Sequence, residues 1–236
     1  MKKNKKISFV IVFLLLDVLL CVSLYFIMDA TNINLLKKEI NNISKLDMSI
    51  DRFNKKNKTI FKYKVVENTI KDFLDDYSKK MDSVYKLVSD KEFTKILSYD
   101  NYVEDGPTFE RSIKYIIDSK IKFNNIINDM ESDLEKKNIK KLIRNETDDK
   151  YYILLYEELV FSEDLTNQYE NNRELLKEVR SNYNEVYDTS LEVLNFLVTY
   201  KDSWSLEDGE IKFINNDLYN YYNSLIDKIK KNKNMN

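Results

Sequence analysis

The run from Ile7 to Met28, ISFVIVFLLLDVLLCVSLYFIM, constrains this chain more than any other feature. As a helix its 22 residues reach roughly 33 Å at about 1.5 Å per residue, enough to cross the hydrocarbon core of a bilayer. Sixteen of them are Ile, Leu, Val or Phe, together favouring insertion by roughly 5 to 10 kcal/mol. Asp17 opposes this by about 2.5–3.5 kcal/mol, so insertion wins. A signal peptide has an apolar core of about 7–15 residues and small residues before its cut. Here the run is longer, and Met28-Asp29-Ala30 places a large side chain where a small one is needed. Leu20 before Cys21 likewise departs from a lipoprotein signal. The expected outcome is a retained single-pass transmembrane anchor.

Lys2, Lys3, Lys5 and Lys6 abut the run, whereas the first lysine beyond it is Lys37. By the positive-inside rule the N-terminus is cytoplasmic and the C-terminal part lies outside the cell membrane. The expected organisation is a basic N-terminus at 1–6, the anchor at 7–28, a membrane-proximal helix at 29–58 and a helical-bundle domain at 59–236. Asp17 is the one ionisable group inside the anchor, a candidate contact to a partner helix.

Composition excludes several chemistries. The 38 basic and 40 acidic side chains nearly cancel, which leaves no field for gathering nucleic acid. Histidine is absent, removing imidazole bases, Ser-His-Asp triads and HExxH zinc sites. Two glycines cannot form a Walker or dinucleotide loop, so no nucleotide is expected. One cysteine supports neither an internal disulfide nor a thiolate metal cage. No cofactor, metal ligand or catalytic residue is therefore assigned. Scarce Gly, Pro and Ala beside abundant Lys, Asn, Ile and Tyr indicate an AT-rich genome, most simply a low-GC Gram-positive bacterium.

Past the anchor, apolar residues recur at steps of 3 or 4, the period of a helix with one buried face. One stripe is Ile33, Leu36, Ile40, Ile43, Leu46, Ile50 and Phe53. Others run from Val66 through Tyr77 to Val88, and from Phe109 through Phe123 to Leu134. Two more carry Tyr152 to Leu165 and Leu176 to Leu197. Ser89 with Glu92 reads as a capping box, and Pro107 suits the first turn of the helix after Asp105-Gly106. Polar connections between stripes suit an elongated antiparallel bundle. The membrane-proximal stripe is the one most free to form a coiled coil with a second copy.

One segment departs from the helical period. Trp204 to Phe213 alternates apolar and polar residues around Asp208-Gly209, a preferred pair for a type I′ turn. That turn sets Trp204 opposite Phe213 and Leu206 opposite Ile211, all on one face. These four side chains are candidate structural or interaction anchors. A final helix begins near Asn216. The fold class is thus all-α, with an N-terminal transmembrane helix and one small β-hairpin near the C-terminus.

Two further groups invite a function. Arg52, Lys55, Lys56, Lys58, Lys62 and Lys64 form an acid-free run able to contact anionic wall polymer or headgroups. The carboxylate pairs Asp75-Asp76, Asp148-Asp149, Glu157-Glu158 and Glu163-Asp164 fit solvated helix faces. The expected function is a non-enzymatic, membrane-anchored helical protein that contacts other envelope proteins or itself. A sensor or ligand-binding bundle is the alternative, followed by a carboxylate-dependent wall hydrolase, which would need two close acids.

Overall fold

The computed structural model describes residues 2–44 and 56–233, with side chains over 18–41 and 56–232. Among these residues the chain is mostly helical. It forms α1 (Lys2–Ser44), α2 (Tyr63–Val88), α3 (Lys91–Lys95), α4 (Tyr99–Asp105), α5 (Glu110–Asp133), α6 (Lys136–Glu146), α7 (Lys150–Val160), α8 (Glu163–Thr199) and α9 (Asn216–Lys233). The hairpin strands β1 (Trp204–Glu207) and β2 (Glu210–Phe213) lie between α8 and α9. Leu46, Ile50 and Phe53 of the first stripe, with Arg52 and Lys55, fall outside the described residues. Of Asp17 only the helical backbone is described.

Two compact units divide the chain. The first comprises residues 1–75 and 140–166, the second 76–139 and 167–236. This division cuts across the 59–236 segment that sequence treats as one domain.

In the first unit, Leu36, Ile40, Val66, Ile70, Leu155 and Leu159 are buried, and all six come from the expected stripes. Lys71 Nζ lies 3.1 Å from Glu39, while Tyr63 donates to Asp29. Ascending numbers on α1 therefore meet ascending numbers on α2. Tyr151 against Asp29 and Glu158 against Lys37 give α7 the same direction. These neighbours run parallel, not antiparallel. Before α2 starts, the described chain already lies at this level, where the Ile60 amide donates to Asn32 at 3.1 Å.

The second unit does contain an antiparallel pair. Lys120 bonds Asp188, Asn124 bonds Asn184 in both directions at 2.8 and 3.1 Å, and Asn128 accepts from Arg180 at 2.7 Å. Numbers rise on α5 as they fall on α8. Phe123, Ile127 and Met130 on α5 and Val186, Val193 and Leu194 on α8 are buried.

The hairpin has the register read from its alternation, with Trp204 paired to Phe213 and Leu206 to Ile211. Asp208 at φ 53 and Gly209 at φ 81 supply the two positive φ angles that a type I′ turn requires. The last helix starts at Asn216 as expected.

Local signals elsewhere resolve differently. Ser89 does not cap α3, because its hydroxyl donates back to Tyr85 at 2.7 Å and finishes α2. Asp90 takes the capping role, its carboxylate accepting from the Glu92 amide at 3.0 Å. Pro107 precedes rather than enters α5, which begins at Glu110. Asp105 satisfies that helix start instead, accepting from the Ser112 amide at 2.8 Å. The close turn leaves no room at Gly106, where a Cβ would press on the Tyr102 carbonyl. Residues 136–146 form a separate helix with Ile139 and Ile143 buried. Leu165 sits on α8, since the chain breaks at Phe161-Ser162.

Candidate interaction surfaces

The hairpin side chains singled out from sequence are half-buried. Trp204, Leu206, Ile211 and Phe213 share the inward face, while Ser205, Glu207, Glu210 and Lys212 face solvent. The Trp204 indole donates to the Leu197 carbonyl at 2.8 Å and its ring stacks on Phe109, 6.1 Å between centroids. Phe213 meets Phe196 and Tyr222, with centroids 5.9 and 5.4 Å apart. The face is thus an aromatic seam, and the indole is neither wholly core nor free.

Beside this seam lies an open cleft of about 650 Å³ between the end of α8 and the start of α9. Phe196, Tyr200 and Tyr221 give it an aromatic wall, while Asp188, Glu192 and Asp217 make its polar lining acidic. The Tyr221 hydroxyl donates to Glu192 at 2.6 Å. That bond to a carboxylate raises the phenol above its ordinary pKa.

A second cleft of about 490 Å³ is lined by α3, α4 and α5, with the charged Glu92, Lys95, Asp100, Glu104 and Arg111 around it beside Ile96. Asn101 is fixed inside it, donating to Ile96 O at 2.7 Å and to Ser112 Oγ at 2.9 Å. Tyr115, which also lines the cleft, donates to Asp90. Burial, assisted by Asp90, pushes the Tyr115 phenol up to about 12. The Tyr115 bond and the Glu92 amide hold Asp90 below the usual carboxylate range.

A third constellation lies in the first unit, where the apolar run of α1 ends. Asp29 accepts from Tyr63 and from Tyr151, the latter at 2.6 Å. Tyr63 also packs edge-on against Tyr152, 5.1 Å between centroids. Burial, with the bond to Asp29, raises the Tyr63 phenol. Asn32 accepts from the Ile60 amide at 3.1 Å. A few residues on, Glu67 is buried and receives the Lys58 and Thr59 amides, the Thr59 hydroxyl and Lys71. Neither Asp29 nor Glu67 was singled out from sequence. The available signal was an acid directly after an apolar run, and the Glu67–Lys71 spacing of four.

Of the basic run, Arg52 and Lys55 lie outside the described residues. Lys62 forms an ion pair with Asp149 at 3.0 Å, and the Lys56 carbonyl accepts from Lys71. Lys56, Lys58, Lys62 and Lys64 are exposed. Of the acid pairs, Glu157 is held by Lys140 at 2.6 Å and by Arg144 at 3.0 Å. The Lys140 bond draws its proton affinity down. Glu158 meets Lys37, and Asp76 meets Lys80. Among the described residues, no group of three or more Asp, Glu or Cys is arranged to hold a metal ion.

In class, the chain is a helical protein with one N-terminal helix long and apolar enough, among the described residues, to cross a membrane. Compared with family models, curated proteins and solved structures, it has no match.

Proposed function

We propose that α1 anchors this protein in the cell membrane and that the helical units act outside the cytoplasm, by non-enzymatic contact with other envelope proteins or further copies. One observation carries the reading. Val18–Met28 of α1 is apolar yet exposed, each large hydrophobic from Val18 to Met28 being at least 37% accessible. The same unbroken helix then buries Leu36 and Ile40. An apolar stretch uncovered by protein is what a bilayer covers. Continuity favours a retained anchor over a removed leader, because cleavage near Ala30 would discard Asp29 and with it the acceptor for Tyr63 and Tyr151.

The lysines before Ile7 support an external domain. The separate exposed clefts and helix faces support a role in contacts. Alkaline carbonate extraction and protease treatment of wall-stripped cells test the anchor. Expected results are retention in the membrane pellet and digestion from outside. Release by carbonate would overturn the anchor, and protection until lysis would reverse the topology. Crosslinking in intact cells tests the contacts, and a chain that yields only monomer would remove that reading.

A second reading, ligand sensing, rests on the polar cleft around Asn101. Its mixture of Lys95 and Arg111 with Glu92, Asp100 and Glu104 suits a zwitterionic small molecule. A thermal-shift screen of amino acids, checked against Asn101→Leu, tests it; the absence of any stabilising compound counts against this reading.

A further inference from the structure

We propose that the collar formed by the Ile60-Phe61 turn and the start of α7 docks on the lipid surface of the bilayer that α1 crosses, placing Ile60 and Phe61 in the headgroup layer. This rests on the membrane-anchor reading above and adds a second membrane contact to it.

The contacts within the first unit set the level. Asp29, one residue beyond the apolar run, receives Tyr63 and Tyr151, and Asn32 receives the Ile60 amide. From Met28 to Asn32 is four helical residues, roughly 6 Å. The polar-to-apolar boundary of a bilayer falls at this height when Ile7–Met28 spans it. Both α2 and α7 begin here and run away from the apolar end, as the Lys71–Glu39 and Glu158–Lys37 pairs show. Their starting ends therefore face the membrane side.

What these ends display fits lipid better than water. Phe61 is 71% exposed and Ile60 49%, adjacent in sequence and both at the turn. The turn is ordered: the Phe61 carbonyl accepts from the Lys64 amide at 3.1 Å. Phe61 keeps φ 51, a left-handed conformation that an L side chain rarely adopts. A large apolar ring held that way toward solvent is covered by no partner among the described residues. Tyr63, Tyr151 and Tyr152 cluster at the level of Asp29, and exposed Tyr25 stands about one helical turn toward the span, the pattern of an interfacial aromatic belt. Exposed Lys58, Lys64 and Lys150 lie near the turn, within reach of anionic headgroups, and Lys62 beside them pairs with Asp149.

The test uses the full chain reconstituted in phosphatidylcholine–phosphatidylglycerol vesicles, with and without phosphatidylcholine brominated near the top of its acyl chains. Trp204 is the only tryptophan, so the parent protein supplies the baseline and added emission is read as a difference. Phe61→Trp reports the collar and Phe26→Trp reports the span. Phe61 is too exposed for the change to disturb packing, which an unchanged helical circular dichroism spectrum verifies. The expected result is that both added tryptophans emit to the blue and lose most of their emission to the brominated lipid. Quenching at Phe26→Trp with red-shifted, unquenched emission at Phe61→Trp would overturn the docking and leave the anchor standing. No quenching at either position would remove the anchor and the docking together.

Discussion

The phenol hydroxyls of Tyr102 in α4 and Tyr222 in α9 meet at 2.9 Å although 120 residues separate them. Both side chains are buried, 3% and 8% exposed, so each hydroxyl depends on the other. Tyr102→Phe should cost about 1–3 kcal/mol, because it leaves the Tyr222 hydroxyl buried without its partner. The double change Tyr102→Phe/Tyr222→Phe should lie closer to the parent than either single one. Urea melts of the chain in detergent micelles measure this, and strictly additive losses would mean the two hydroxyls do not couple.

The same pair gives a pH dependence. Burial raises both phenols above their ordinary value, so folding favours the protonated form. Stability from this source is complete below the unfolded phenol pKa of about 10 and is lost as pH rises toward the folded values. Melting midpoints should hold to about pH 10 and then fall. The fall should be shallower in the double variant but still present, since burial also raises Tyr77, Tyr169 and Tyr187. A double variant with the parent's alkaline limb would refute this assignment.

Glu67 is the acidic counterpart. Only 2% exposed, it receives Thr59 Oγ1 at 2.7 Å and Lys71 at 2.7 Å besides two backbone amides. Glu67→Ala should cost about 3–5 kcal/mol, the usual consequence of removing one partner from a buried ion pair. Burial alone would raise this carboxyl, but Lys71, Thr59 and the Lys58 amide outweigh it and the net shift is downward. The associated stability is therefore present above the ordinary glutamate pKa of about 4.3 and lost as pH falls through the lower folded value. Glu67→Gln should flatten the acid limb of the stability profile, and urea midpoints taken from neutral pH downward would detect it.

These ties explain what sequence could and could not convey. Burial of one helix face repeats every three or four residues, so Val66, Ile70 and Tyr77 were legible, as were Phe123, Ile127 and Met130. Asp208-Gly209 carries its own geometry, so the pairing of Leu206 with Ile211 was legible too. Asp29 with Tyr151 has no period, because the bond joins residues 122 apart. Glu67 and Lys71 stand at a spacing that an exposed, solvated pair shares. The choice between Ser89 and Asp90 as cap turned on where α2 stops, and α2 stops where the Ser89 hydroxyl finds the Tyr85 carbonyl. The parallel course of α1 and α2 was hidden in the length of residues 45–62, since chain length alone does not say where a connection returns.

The hairpin offers the last test. An isolated two-stranded hairpin is marginal in water, so this one depends on its aromatic seam. Trp204 is half-buried, stacked on Phe109 and bonded to Leu197 O. Trp204→Ala should therefore cost about 3 kcal/mol, the lower end for removing a buried tryptophan. Trp204→Phe should cost less, because it keeps a ring against Phe109 and loses mainly the indole bond. Gly209 isolates a different cause. Nothing lies within 4 Å of a Cβ built there, so Gly209→Ala meets no clash and only the φ of 81 opposes it, at about 1–2 kcal/mol. Gly209→Val should be worse, being β-branched. Tryptophan emission follows the seam directly, as Trp204 is the only tryptophan. In the parent it should sit between core and solvent positions and be partly accessible to iodide. In Gly209→Val it should shift toward the solvent position while the helical spectrum persists. If Gly209→Val left emission, iodide access and melting midpoint unchanged, the turn would not be what holds Trp204 against Phe109.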